Sequence, residues 1–223
     1  MKVEQIYTGC LAQGAYYILS EGEAAIIDPL REVGPYLEKS KKDGASIKYV
    51  LETHFHADFV SGHVDLAAKT GAEIVYGPHA NPKFKARIAS DGEVLRLGKV
   101  SIKVLHTPGH TPEHISLLLT DGGAAAQAPI GLFTGDFVFV GDIGRPDLLE
   151  RAAGVNGSAY SLAKKMFTSL QRFKQLPDYL QVWPAHGAGS ACGKALGAVP
   201  ASTVGYEKLS NWALQYDDKD LFI

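Results

Sequence analysis

Apolar and polar positions in this chain fall into short runs of two kinds, one with a period near two and one with a period near four. At the start, Val3, Ile6 and Tyr7, then residues 15–19, then residues 24–27 form apolar runs of strand length, set apart by Gly9, Gly14 and Gly22. Brief runs bounded by glycine predict successive hairpin strands. Asp28-Pro29 ends the third, because proline has no N–H to give to a sheet ladder. Residues 31–43 carry helical spacing through Val33, Leu37 and Lys41, and stop at Gly44, a residue suited to a left-handed helix end. A buried strand follows at 49–51. A helix then runs through Leu66, Ala67 and Ala68 to Lys69 or Thr70 and ends before Gly71, and residues 73–76 form another strand.

The second half repeats the logic. Residues 94–105 alternate as two strands joined at Gly98-Lys99, residues 115–119 form a strand, and residues 121–129 read as a small-residue surface excursion. Residues 132–136 form a strand that ends on a carboxylate. Residues 158–173 are predicted helical, with Leu162, Met166, Phe167 and Leu170 apolar, and residues 180–183 give the last clear strand. Hairpins first, then strands alternating with helices, predict layered α/β architecture with mixed sheets.

Composition narrows the partners. The 223 residues suffice for a core of two or more packed layers in one domain. A formal net charge of −2 without a basic block points away from nucleic acid and anionic membranes. No apolar stretch is long enough to span a bilayer, and the N-terminal Met-Lys-Val-Glu-Gln-Ile carries no long apolar segment. Two cysteines, Cys10 and Cys192, make no disulfide framework, so a reducing cytoplasm is the expected compartment. Oligomeric state is not legible, and a homo-oligomer stays open.

Candidate chemistry concentrates at strand ends. Thr53-His54-Phe55-His56-Ala57-Asp58-Phe59 follows the apolar run at 49–51. Alternate strand residues share a face, so His54, His56 and Asp58 would converge if the segment stays extended. Imidazole with carboxylate suits zinc or iron. His110, Asp136 and His186 stand at three further strand ends, and ligands at one rim of a rigid sheet scaffold suit a metal enzyme.

These motifs in order, Thr-His-Phe-His-Ala-Asp, Thr107-Pro108-Gly109-His110-Thr111-Pro112, Thr134-Gly135-Asp136 and Pro184-Ala185-His186-Gly187, resemble the metallo-β-lactamase superfold over essentially the whole chain. The resemblance implies an αββα sandwich of two mixed β-sheets flanked by helices, with a metal at one edge. Within that superfold, Gly141-Asp142-Ile143-Gly144-Arg145-Pro146-Asp147-Leu148 and the stretch from Gly187 to Gly193 resemble the persulfide dioxygenases, mononuclear iron enzymes that convert glutathione persulfide to sulfite and glutathione. The look-alikes are bacterial forms in which this domain precedes rhodanese domains. Residues 1–223 are therefore expected to be one metallo-β-lactamase-like domain, either the N-terminal part of a rhodanese fusion or a standalone homologue, with a rhodanese sulfurtransferase as partner.

The resemblance implies one Fe(2+) per chain, held by His54, His110 and Asp136. It implies that His56, Asp58 and His186 orient ligands or handle protons, and that thiol persulfide and O2 are the substrates. Binuclear hydrolases of the superfold, glyoxalase II among them, carry histidine directly after the Asp; here that position is Phe59, which cannot ligate. A zinc thioester hydrolase of glyoxalase II type is the alternative. Arg145 is a candidate clamp for a substrate carboxylate, since guanidinium offers a bidentate charged fork, or else an ion-pair partner of Asp147 or Asp142. Cys192 is a candidate contact for the persulfide, and Cys10 is expected to be an inert buried thiol. His63, His79, His106 and His114 are assigned no direct chemistry.

Overall fold

The computed structural model describes residues 1–125, 127–154 and 157–223. Two six-stranded sheets face each other. The first contains β1 (Lys2–Thr8), β2 (Gln13–Ser20), β3 (Glu23–Ile27), β4 (Ser46–Leu51), β5 (Glu73–Tyr76) and β6 (Arg87–Ile88), in that spatial order. β1 to β3 are antiparallel, and β3 to β6 are parallel. The second contains β7 (Val94–Leu97), β8 (Val100–His106), β9 (Ile115–Asp121), β10 (Pro129–Gly135), β11 (Gln181–Pro184) and β12 (Ser202–Thr203), ordered from β7 at one edge to β12 at the other. Both sheets are mixed, since β10 and β11 run parallel among antiparallel neighbours.

The period of two explains the layers. In β2 and β3, Tyr16, Ile18, Ala25 and Ile27 point between the sheets, where they meet Leu95, Ile102, Val104, Leu117 and Phe133. Their alternates Ala15, Tyr17, Ala24 and Ile26 face outward, under α1 (Gly34–Lys42) and α2 (His63–Thr70). The outer face of the second sheet, with Leu132 and Val182, is covered by α4 (Ser158–Lys174), through Met166, Leu170 and Phe173, and by Val204 of α5 (Val204–Ser210). The order helix, sheet, sheet, helix is the αββα sandwich that the motifs imply.

Departures from the sequence reading have local causes. α1 starts at Gly34 rather than at residue 31, because Leu30 is held elsewhere: its N–H donates to Tyr36 Oη, and it bridges to Ser61. The predicted excursion at 121–129 shrinks to the connection between β9 and β10, and Ala126 within it lies outside the described residues. Cys10 is exposed, not buried, because it sits in the turn after β1. The two-residue strands β6 and β12, α3 (Leu148–Ala153), a 3-10 turn at Trp212–Gln215 and α6 (Lys219–Phe222) had no periodic signature to announce them. Among the described residues, no helix is long and apolar enough to cross a membrane.

Candidate metal centre

Strand ends of both sheets meet at one edge of the sandwich. β4 delivers His54, the loop between β8 and β9 delivers His110, and β10 delivers Asp136 just past its last residue. Tight backbone packing fixes these loops. Gly135 has φ +54°, and a Cβ there would lie 2.7 Å from His114 Nε2 and 2.8 Å from Thr53. A Cβ on Gly144 would lie 1.8 Å from the Asp136 carbonyl oxygen, so only glycine allows the 141–148 loop to close over the site.

Hydrogen bonds orient each donor. Thr53 Oγ1 donates to Asp28 Oδ2 at 2.7 Å, which leaves it to accept from His54 Nδ1 at 3.0 Å. The His54 proton therefore sits on Nδ1 and the lone pair on Nε2. His110 Nδ1 donates to the Arg145 carbonyl at 3.2 Å, with the same consequence. His114, fully buried, accepts the Asp136 N–H on Nε2 at 3.0 Å, and its Nδ1 pairs with Thr107 Oγ1 at 2.9 Å. Burial pushes the His114 pKa down to about 3, so it stays neutral and can accept. His186 Nδ1 donates to Asp136 Oδ1 at 2.7 Å.

Asp136 Oδ2 remains. It is buried without a hydrogen-bond partner, 3.8 Å from His54 Nε2 and 3.6 Å from His110 Nε2. An orphan carboxylate oxygen between two imidazole lone pairs is costly alone and is answered by a cation. Burial, with His56 close by, holds His54 well below the ordinary histidine range, and burial lowers His110 as well, so both are neutral donors. Burial would raise the Asp136 carboxyl, but His186 beside it, with His54 and His110, holds it well below the carboxylate range. These three residues fit a divalent ion, and their two-imidazole, one-carboxylate set permits iron or zinc.

The segment around Thr53 does not stay extended, and its three candidate ligands separate. His54 joins His110 and Asp136; Asp58 joins His186 and Cys192; His56 joins Asp28 and Glu52. The bends from residue 53 to 59 turn successive side chains in different directions, so the alternation of a strand no longer applies. His186 Nε2 lies 2.9 Å from Asp58 Oδ2, without the alignment of a hydrogen bond. Burial opposes charge on His186, but Asp136 and Asp58 outweigh it and push its pKa up to about 10. Cys192 Sγ is 3.9 Å from Asp58 Oδ2, and burial, with Asp136 and Asp58 nearby, pushes the thiol up, so it is protonated.

Arg145 forms a bidentate pair with Asp147 at 3.0 and 2.8 Å, and Asp142 instead binds Lys194 N, Ala195 N and Trp212 Nε1. His63 opens α2 with Nδ1 3.7 Å from Glu52 Oε1, and His79 is exposed. His106 Nε2 pairs with the Pro112 carbonyl. Sequence reasoning missed Asp28, Glu52 and Glu113, whose Oε1 accepts the Phe55 N–H at 2.9 Å. Only the carboxylates in Ile27-Asp28-Pro29 and Glu52-Thr53-His54 hinted at them.

A family model described as the metallo-beta-lactamase superfamily matches residues 8–186. The chain belongs to the metallo-beta-lactamase superfamily. Among solved structures, a metallo-beta-lactamase from Staphylococcus aureus subsp. aureus COL superposes with a TM-score of 0.91 and 46% identity, over 99% of this chain and 65% of that one. ETHE1 from Myxococcus xanthus superposes with a TM-score of 0.82 and 27% identity, over 100% of this chain and 88% of that one. By sequence, a hydroxyacylglutathione hydrolase of Methylococcus capsulatus is 36% identical over 176 residues, covering 76% of this chain. The match spans 60% of that curated relative's length.

Proposed function

We propose that this superfamily member is an iron(II)-dependent persulfide dioxygenase, converting a thiol persulfide, O2 and water to the free thiol, sulfite and two protons. Glutathione persulfide, or a similar low-molecular-weight persulfide, is the proposed substrate. The observation that carries this reading is the separation of the ligands: His54, His110 and Asp136 face one another, while His56 turns to Asp28 and Glu52. Two histidines and one carboxylate leave coordination positions open for a sulfur and for O2, as non-haem iron oxygenases require. Phe59, stacked on His56 at 4.2 Å, removes a ligand that a binuclear hydrolase would use. The likeness to ETHE1 over the whole of this chain supports the same family.

Iron(II) held by these residues would supply redox chemistry toward O2 and a positive charge for an anionic sulfur. The chain's own groups orient and balance. Thr53 and the Arg145 carbonyl fix which imidazole nitrogens face the ion. His186 holds a proton between Asp136 and Asp58, directly behind the carboxylate proposed to bind the ion. Cys192, as a neutral thiol, can touch the persulfide without competing as a charged ligand. Asp147 takes Nε and Nη2 of Arg145, which leaves Nη1 as the donor for a substrate carboxylate, so Arg145→Ala should raise KM for glutathione persulfide more than it lowers kcat.

The second reading, zinc-dependent thioester hydrolysis of glyoxalase II type, is favoured by the hydroxyacylglutathione hydrolase relatives. Oxygen uptake with glutathione persulfide, set beside hydrolysis of a glutathione thioester, separates the two. A rhodanese sulfurtransferase partner is part of the first reading, and co-purification of such an enzyme from the native host tests it. Failure to recover one under mild conditions would count against it.

A further inference from the structure

Behind His54 lies a second concentration of donors that the proposed reaction does not use. Asp28 follows β3 in the left-handed region, at φ +48°, and Glu52 follows β4. Both are fully enclosed, at 1% and 0% exposure. The His56 side chain is also 1% exposed, and Phe59 lies against its ring with an interplanar angle of 28°. His56 Nε2 lies 3.1 Å from Asp28 Oδ1 and 3.5 Å from Glu52 Oε2. One oxygen or nitrogen from each of the three residues falls within 4.8 Å of the other two.

The polar bookkeeping there is incomplete. Asp28 accepts Thr53 N–H on Oδ1 and the Thr53 hydroxyl on Oδ2, each at 2.7 Å. Ser61 Oγ donates to Glu52 Oε1 at 2.7 Å. Glu52 Oε2 and both ring nitrogens of His56 have no hydrogen-bond partner, and neither do those of His63 beside them. Two carboxylates this close in a dry interior repel each other unless a positive charge lies between. The unpartnered atoms, Glu52 Oε2 and His56 Nε2, are among those that converge on Asp28 Oδ1.

We propose that Asp28, Glu52 and His56 form a second site for one divalent cation, distinct from the His54, His110 and Asp136 centre. Two carboxylates and one imidazole balance a 2+ charge to neutrality inside the fold. The donor set of two oxygens and one nitrogen suits manganese or zinc rather than a soft ion such as copper(I). The site shares no ligand with the first centre, and it stands whichever reaction that centre serves. An ion there would tie the end of β3 to the end of β4 and fix the loop that carries His54. Its competitor for the same space is a proton on His56, which would leave the three residues as an ion-paired cluster.

The test is total metal per chain, by mass spectrometry, after loading the purified protein with Mn2+ and removing the excess. The wild type is expected to hold two ions. Glu52→Gln keeps the Ser61 contact and the side chain's shape but lacks the charge, and should hold one. Asp136→Asn should also hold one, losing the first ion and keeping the second. His56→Gln serves as a further variant in case Glu52→Gln does not fold, which circular dichroism reports, and should likewise hold one. A single ion in the wild type, or two ions retained in folded Glu52→Gln, would overturn the site and leave a proton on His56 as its occupant.

Discussion

Thr53→Val is the sharpest probe of how this fold prepares its metal ligands. The side chain is 0% exposed and valine matches its shape, so the substitution removes a hydroxyl and little else. That hydroxyl bonds the Asp28 carboxylate at 2.7 Å and receives His54 Nδ1–H at 3.0 Å. A bond to a charged acceptor contributes about 1.5–3 kcal/mol, and a stranded buried N–H costs about 1–3 kcal/mol. Metal-free protein should therefore lose about 2.5–6 kcal/mol, read as a lower urea midpoint at unchanged slope. With nothing to hold the proton on Nδ1, the His54 ring is free to turn or to change tautomer. Metal affinity should then fall about 10–100-fold, as when other orienting partners of metal-bound histidine are removed. Competition with a chelator measures that shift. Thr53→Ser, which keeps the hydroxyl, should recover most of both losses. A valine variant within about 0.5 kcal/mol of wild type and with unchanged metal affinity would refute the argument, since surface-like effects are of that size.

The metal-free protein should lose stability as pH rises from about 6.5 to about 10. The His186 pKa is raised to about 10 in the fold, so its contribution is complete below the unfolded value near 6.5 and gone above the folded one. Urea midpoints across that range, compared with His186→Gln, check it; equal slopes in the two proteins would remove His186 as the cause. Cys192→Ser should leave the ion at Asp136 at wild-type occupancy but slow sulfite formation, because Sγ lies beside Asp58 and His186 rather than in the ligand set. Loss of that ion would mean the ligand set is wrong, and unchanged kinetics would reduce Cys192 to loop packing.

Local pattern made much of the sandwich legible. Alternation in β2 and β3 states which side chains face the second sheet, and the spacing of Leu162, Met166 and Leu170 lays α4 on the outer face of the other. The C-terminal elements were opaque because non-local contacts hold them. Asn211 Nδ2 donates to the Asp142 carbonyl and Trp212 Nε1 to the Asp142 carboxylate, about a third of the chain away, and no local periodicity encodes such bonds. At the metal edge, His54, His110, Asp136 and His186 stood out as histidines and a carboxylate at strand ends, and only the resemblance to a known family singled out the first three as ligands. The direction of His56 did not, because the residues it turns toward come from different strands: Asp28 from β3 and Glu52 from β4. Likewise, the charge on His186 depends first on Asp136 and then on Asp58, both far from it in sequence, the second brought close by the bends after Thr53.

The most direct test of the central claim is simultaneous measurement of oxygen uptake and sulfite release from glutathione persulfide, with wild type and Asp136→Asn side by side. Asp136 Oδ2 is the buried oxygen aimed between the two imidazoles, so its replacement removes the anionic ligand without disturbing the strand that carries it. The account predicts one O2 consumed per sulfite formed by the iron-loaded wild type, and neither process above background in Asp136→Asn. Absence of oxygen uptake by wild type, together with rapid hydrolysis of a glutathione thioester by its zinc form, would contradict it.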